Sequence, residues 1–218
     1  MCGRFTLTAN PAAFQQTFGG FEFPAQFAPR YNIAPSQPIL AIPNDGKMRA
    51  DFFAWGLIPS WAKAPDAMKP FINARGETLG EKPAFRGSFK YKRCLIFADG
   101  FYEWQAQSNG KSKTPYFIYL KDRQPFAFAG LWAEWQSELR TCAIVTTAPN
   151  ELMANIHSRM PVILEPQHYA EWLDPAPREP EILQRLLSPF PAERMAAHVV
   201  STLVNSPAND RAECSQSL

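Results

Sequence analysis

Position 2 of the chain is a cysteine, in the stretch MCGRF. Once Met1 is removed, as is usual before a small second residue, Cys2 carries an α-amine and a thiol on neighbouring carbons. An α-amine has a reference pKa of about 7.7–8.0, against about 10.4 for lysine. Near neutral pH that leaves about 10% of the amine unprotonated, but only about 0.04% of a lysine. Such an amine attacks an aldehyde to give an imine, and the adjacent thiol can close on the imine carbon as a five-membered thiazolidine. Serine or alanine here would lack the sulfur for that ring. The same residue suits two other readings. One is an N-terminal nucleophile hydrolase, with the thiol attacking an amide and the amine as base. The other is an ordinary buried cysteine in a first strand.

Other polar residues stand in apolar company. Asn73 and Arg75 follow Phe71 and Ile72 in PFINARGET, and Asp99 and Glu103 lie among aromatics in FADGFYEW. A carboxylate in such surroundings is either hydrogen-bonded scaffolding or a group with a raised pKa fit for acid–base work. Asp99, before Gly100, reads as a turn residue, and Glu103 as the acid–base candidate. Of the three histidines, His157 closes the helical pattern of NIHSRMP, where an imidazolium suits the helix end. His168 and His198 have no distinctive partners in sequence. No histidine pair has metal-ligand spacing, the four cysteines are far apart, and no metal or cofactor is expected.

Residues 82–93 read KPAFRGSFKYKR, with five basic residues interleaved with Phe85, Phe89 and Tyr91 and no acid. Charge neutralisation plus base stacking is what binding of a single nucleic-acid strand needs. A solvated strand edge guarded by lysines gives the same pattern. Arg4, Arg30 and Arg75 would add phosphate contacts if the fold brings them together.

The elements that must position these residues are short. The 218 residues fit one domain, and 22 basic against 20 acidic residues exclude a polybasic protein, so any nucleic-acid site is a local patch. Twenty-one prolines argue against a helical bundle. No stretch has the roughly 18 apolar residues of a membrane span, and no signal peptide is visible. A cytoplasmic location is expected, or nuclear if the source is eukaryotic, with no membrane partner. Asn10-Pro11 opens a short helix that sets Phe14 and Phe18 on one face. PILAI, RADFFAW, RCLIFA, PYFIYL, PFAFAGLW and TCAIVT read as strands, separated by turns such as Asn44-Asp45-Gly46 and Ser108-Asn109-Gly110. FEFPAQFAPRYNIAPSQ reads as an ordered loop. PNELMANIH, PQHYAEWL and PEILQRLL read as helices and AAHVVST as a last strand. The class is α+β, with a mostly antiparallel sheet that can close on itself and short peripheral helices. The domain should span residues 1–205, with 206–218 a polar, flexible tail containing an inert Cys214. Cys94 and Cys142 read as small buried hydrophobes.

MCGRF, RYNIAP, WGLIPSW, INARGET, FADGFYEW and NIHSRMP, in this order, resemble the SOS-response-associated peptidase (SRAP) family of abasic-site-processing proteins, from Cys2 to about Val204. The resemblance implies a monomer with a β-barrel-like core and a basic groove that leads abasic single-stranded DNA to the amino-terminal cysteine. It implies a covalent thiazolidine crosslink through Cys2, with a possible lyase side reaction and self-removal of Met1. Asn73 would position the sugar, Glu103 would handle protons, and His157 would assist ring opening and reversal. Arg4, Arg75 and Arg159 would bind phosphate, with Arg86 and Thr146 in the same groove. Pro35, Trp61 and Trp104 would wedge or stack beside the lesion, although Ala62 stands where some relatives carry a second aromatic.

Overall fold

The computed structural model describes residues 2–64, 68–107, 110 and 112–218. The expected turn at Ser108-Asn109-Gly110 lies mostly outside these residues, as does Met1. Strands in chain order are β1 (Arg4–Leu7), β2 (Arg30–Ile33), β3 (Pro38–Pro43), β4 (Asp51–Trp55), β5 (Asn73–Arg75), β6 (Arg93–Ala98) and β7 (Gly100–Ala106). They continue with β8 (Lys113–Leu120), β9 (Phe126–Trp135), β10 (Leu139–Thr147), β11 (Met160–Pro161), β12 (Ile163–Leu164) and β13 (Met195–Val199).

One set closes into a barrel. β4 pairs β3, β3 pairs β6, β6 pairs β9 and β9 pairs β10, all antiparallel. A parallel pairing of β10 with β4 completes the ring, through Thr141↔Ala54 and Cys142↔Trp55. The short β5 continues along the same edge of β10, Ile144↔Asn73 to Thr146↔Arg75. Closure leaves few free edges, which suits strands this apolar. β6 is buried along its whole length, and β9 nearly so. A second sheet runs β13-β8-β7-β1-β2 and packs on the barrel. Phe5 of β1 ties the two together, its ring 5.1 Å from Trp55 and 5.9 Å from Phe128. Gly100 is required in this layer, because a Cβ there would sit 2.2 Å from the Phe117 ring.

Helices are short and peripheral. In α1 (Pro11–Thr17) the Asn10 side chain caps the Ala13 N–H at 2.9 Å, and Phe14 and Phe18 face inward. The aromatic loop behind it is ordered as expected, with Phe23 and Phe27 against Phe14, though it ends in strand β2. Cys94 and Cys142 are fully buried in β6 and β10.

Two expectations change. KPAFRGSFKYKR is not a strand edge: its centre is α2 (Arg86–Tyr91), with Phe85 and Phe89 buried and only Tyr91 of its aromatics exposed. The spacing of Phe85 and Phe89 by one helical turn explains this. Arg93 is fully buried, donating to the carbonyls of Trp172, Phe89, Lys90, Asp174 and Ala176. Nor is 206–218 a loose tail. Asp210 accepts from the Tyr31 and Asn32 N–H groups at 2.5 and 3.0 Å and pairs with Arg30. Cys214 is buried and Ser217 bridges Val200. Asp210 supplies an acceptor to the outer edge of β2, a long-range match that local polarity does not reveal.

Candidate active site

β1 delivers Cys2 to the site. Its pairing with β7, Arg4↔Tyr102 to Thr6↔Gly100, sets the cysteine's end of the strand beside the next β7 residue, Glu103. The far end of β1 is fixed by Asp99, which accepts from the Thr6 hydroxyl at 2.5 Å, the Thr8 N–H at 2.5 Å and the Ala9 N–H at 2.8 Å. Asp99 is scaffold, as its place before Gly100 suggests. Asn73, the first residue of β5, donates from Nδ2 to the Cys2 carbonyl at 2.8 Å. Its Oδ1 is buried and has no hydrogen-bond partner among the described residues. An acceptor left in that state costs stability unless something fills it.

The electrostatics join the same groups. Burial pushes the Cys2 thiol far above the ordinary thiol range, and the Glu103 charge pushes it the same way. Glu103 is itself 2% exposed. Burial raises its carboxyl, and the neighbouring His157 works against that rise. His157 follows α3 (Glu151–Ala154), whose N-cap is Asn150, and its N–H bonds back to the Met153 carbonyl at 2.8 Å. Thiol, amide, carboxyl and imidazole therefore meet at one place, and they come from β1, β5, β7 and the loop after α3.

The expected phosphate-binding residues divide. Arg75 is exposed at the end of β5, in register with Thr146, which is buried. Arg159 donates to the Thr146 carbonyl at 2.7 Å and grips Glu77 through two bonds of 2.5 and 2.9 Å. Arg4 is tied to the Val204 carbonyl at 2.8 Å and to the Asn32 side chain at 3.2 Å. Trp104 Nε1 donates to Asn205 Oδ1 at 2.7 Å, and Pro35 is half-buried after β2. Arg30 is engaged by Asp210 and by Gln37 at 2.7 Å, not turned toward the thiol. Trp61 is 62% exposed and lines a cleft of about 230 Å³ beside α2, with Tyr91 and Lys92. Arg86, exposed, begins that helix. A ring contact of 5.2 Å between Phe71 and Phe85 links the α2 side to the strand that carries Asn73. Sequence reading missed Glu77 and Asn205. Glu77 stood inside INARGET, whereas nothing local marks Asn205.

A buried thiol before the first strand of the sheet that packs on the barrel, with an amide, a carboxyl and an imidazole beside it, sets this site within one compact α+β domain. The SOS response associated peptidase (SRAP) family model matches residues 1–207, and the chain belongs to that family. Abasic site processing protein YoaM of Bacillus subtilis is 50% identical, over 98% of this chain and 96% of its own length. Abasic site processing protein YedK of Escherichia coli is 31% identical, over 99% of each chain. A solved structure from Bacteroides thetaiotaomicron superposes with a TM-score of 0.85 at 30% identity, covering 100% of both chains.

Proposed function

We propose that the protein captures abasic sites in single-stranded DNA by a covalent bond to Cys2, after loss of Met1. The meeting of Cys2, Asn73, Glu103 and His157 carries this reading. The lesion is the one for which the relatives, abasic site processing proteins, are named.

The chemistry begins with the amine. Burial and the Glu103 charge both disfavour the Cys2 thiolate, which weighs against the thiol as the first nucleophile and for the amine. An unprotonated α-amine adds to the aldehyde carbon of the ring-opened sugar and water leaves, forming an imine. The thiol sulfur then bonds to that carbon, the C=N electrons pass to nitrogen, and the thiol proton follows them. The product is a thiazolidine, with one water lost overall. A carboxyl raised by burial, such as Glu103, exchanges protons nearer neutral pH than an ordinary one. His157 protonates the sugar oxygen as the ring opens. The free Oδ1 of Asn73 accepts a sugar hydroxyl. An imine that escapes the thiol can undergo β-elimination, which would give a lyase side reaction. Self-removal of Met1 belongs to the same reading. Arg75, Arg159 and Thr146 form the phosphate-contacting edge, joined by Arg4. Trp61, Trp104 and Pro35 serve as stacking or wedging surfaces, and Arg86 is a more distant charge.

Intact mass spectrometry tests this on Met1-processed protein incubated with an abasic oligonucleotide. The expected gain is the oligonucleotide mass less one water. Processed protein that gains no mass refutes the proposal.

A further inference from the structure

We propose that Glu77 is a positioning residue for His157, acting through Arg159; the inference deepens the reading of the site given above. Glu77 lies in the one-turn 3-10 helix Gly76–Thr78 directly after β5. That turn is seated hard against β10: a Cβ on Gly76 would stand 3.2 Å from the Thr146 carbonyl oxygen and 3.3 Å from Leu187 Cδ1. Both carboxylate oxygens of Glu77 receive the Arg159 guanidinium, Nη1 on Oε1 at 2.5 Å and Nη2 on Oε2 at 2.9 Å. Nη2 also donates to the Thr146 carbonyl at 2.7 Å and its hydroxyl at 3.2 Å. The arginine is thus clamped between β10 and the turn after β5. Paired, two-bond contacts of this kind fix orientation as well as charge.

The main chain of the clamped arginine faces the His157 ring. The Arg159 N–H lies 3.0 Å from His157 Nδ1, and the Arg159 carbonyl oxygen lies 3.1 Å from the same nitrogen. A bare Nδ1 accepts from the N–H, and a protonated Nδ1 donates to the carbonyl. One residue serves Nδ1 in either state, so the ring can present Nε2 with or without its proton and need not turn. A proton-transfer group benefits from that arrangement, provided the Arg159 peptide stays in place. Glu77 and Thr146 hold it there. Glu77 does not touch the reacting atoms and is not a catalytic residue.

Two measurements on the full chain test this. In 15N spectra of the histidine rings, with His157 assigned by a His157→Asn variant, Glu77→Gln changes the tautomer pattern of His157 and leaves His168 and His198 as they were. In single-turnover adduct formation with an abasic single-stranded oligonucleotide, Glu77→Gln slows the reaction on the order of tenfold. Glu77→Asp, which keeps the carboxylate, restores part of both. Unchanged His157 signals, or an unchanged rate, overturn the proposal. A Glu77→Gln protein that binds DNA more tightly and reacts faster also overturns it, because Glu77 would then merely compete with phosphate for Arg159. If wild-type protein gives no adduct, the proposed function fails, and the ring signals alone decide the role of Glu77.

Discussion

Replacing Asn73 with alanine leaves the backbone pairing of β5 on β10 intact and removes the Nδ2 that meets the Cys2 carbonyl at 2.8 Å, together with the Oδ1 proposed to hold a sugar hydroxyl. Cys2 is fully buried, so its carbonyl has no water to turn to. An orphaned buried acceptor costs about 1–3 kcal/mol. In a chain of this size each kcal/mol lowers Tm by about 2–4 °C, so the variant should melt about 2–12 °C lower. If the contact also orients the chain end in the transition state, the same energy slows adduct formation by about 5-fold to about 160-fold. The assay pairs calorimetry with single-turnover crosslinking to an abasic oligonucleotide, run well below both melting temperatures. A lowered Tm with an unchanged rate would refute the reasoning and make Asn73 scaffold alone. Unchanged Tm and unchanged rate would show that the Cys2 carbonyl gains nothing from the bond.

Glu103 gives a pH test. Its carboxyl is raised in the folded protein, so the folded state holds its proton at a pH where the unfolded chain has released it. Its contribution is therefore present below the unfolded pKa and lost as pH rises through the folded one. Glu103→Gln should flatten that fall in thermal melts taken from acid to neutral pH, while impairing adduct formation; a parallel fall in both proteins would exclude the effect. Arg93→Met should lose at least about 3 kcal/mol in denaturant unfolding, because several buried carbonyls lose their donor together. Arg86→Ala should instead leave stability alone and reduce the salt slope of single-strand binding by about 0.7. Asp210→Ala should cost about 1–2 kcal/mol of stability, read by calorimetry, because its β2 contacts are partly solvated. Limited proteolysis that trims 206–218 from the intact protein would contradict the packing of that segment.

Local chemistry made much of this molecule legible. The Asn10-Pro11 cap, the apolar runs of β6 and β9 and the aromatic pair Phe14 and Phe18 each carry their structure within a few residues. A sheet able to close on itself was expected, but the pair that closes it was not readable, because Thr141 meets Ala54 in a parallel pairing with no local signature. In KPAFRGSFKYKR the helical spacing of Phe85 and Phe89 was present, but five cations among the aromatics hid the helix behind the look of a guarded strand edge. One of those cations, Arg93, serves only its own chain's carbonyls. The site residues stood out as polar groups in apolar surroundings. What the sequence withheld were groups that act at second hand, such as Glu77 on Arg159 and Asn205 on Trp104.

The clasp on Arg4 has a consequence in time. Its carbonyl partner at Val204 lies 200 residues downstream. At ribosomal speeds of about 5–20 residues per second, the first strand waits about 10–40 s for the segment that fastens it. Throughout that interval β1 and the cysteine before it belong to an unfinished protein. An enzyme that trims Met1 from the nascent chain can therefore work before the site exists, whereas trimming by the protein itself must wait for the clasp. Pulse-labelled nascent chains would show which comes first.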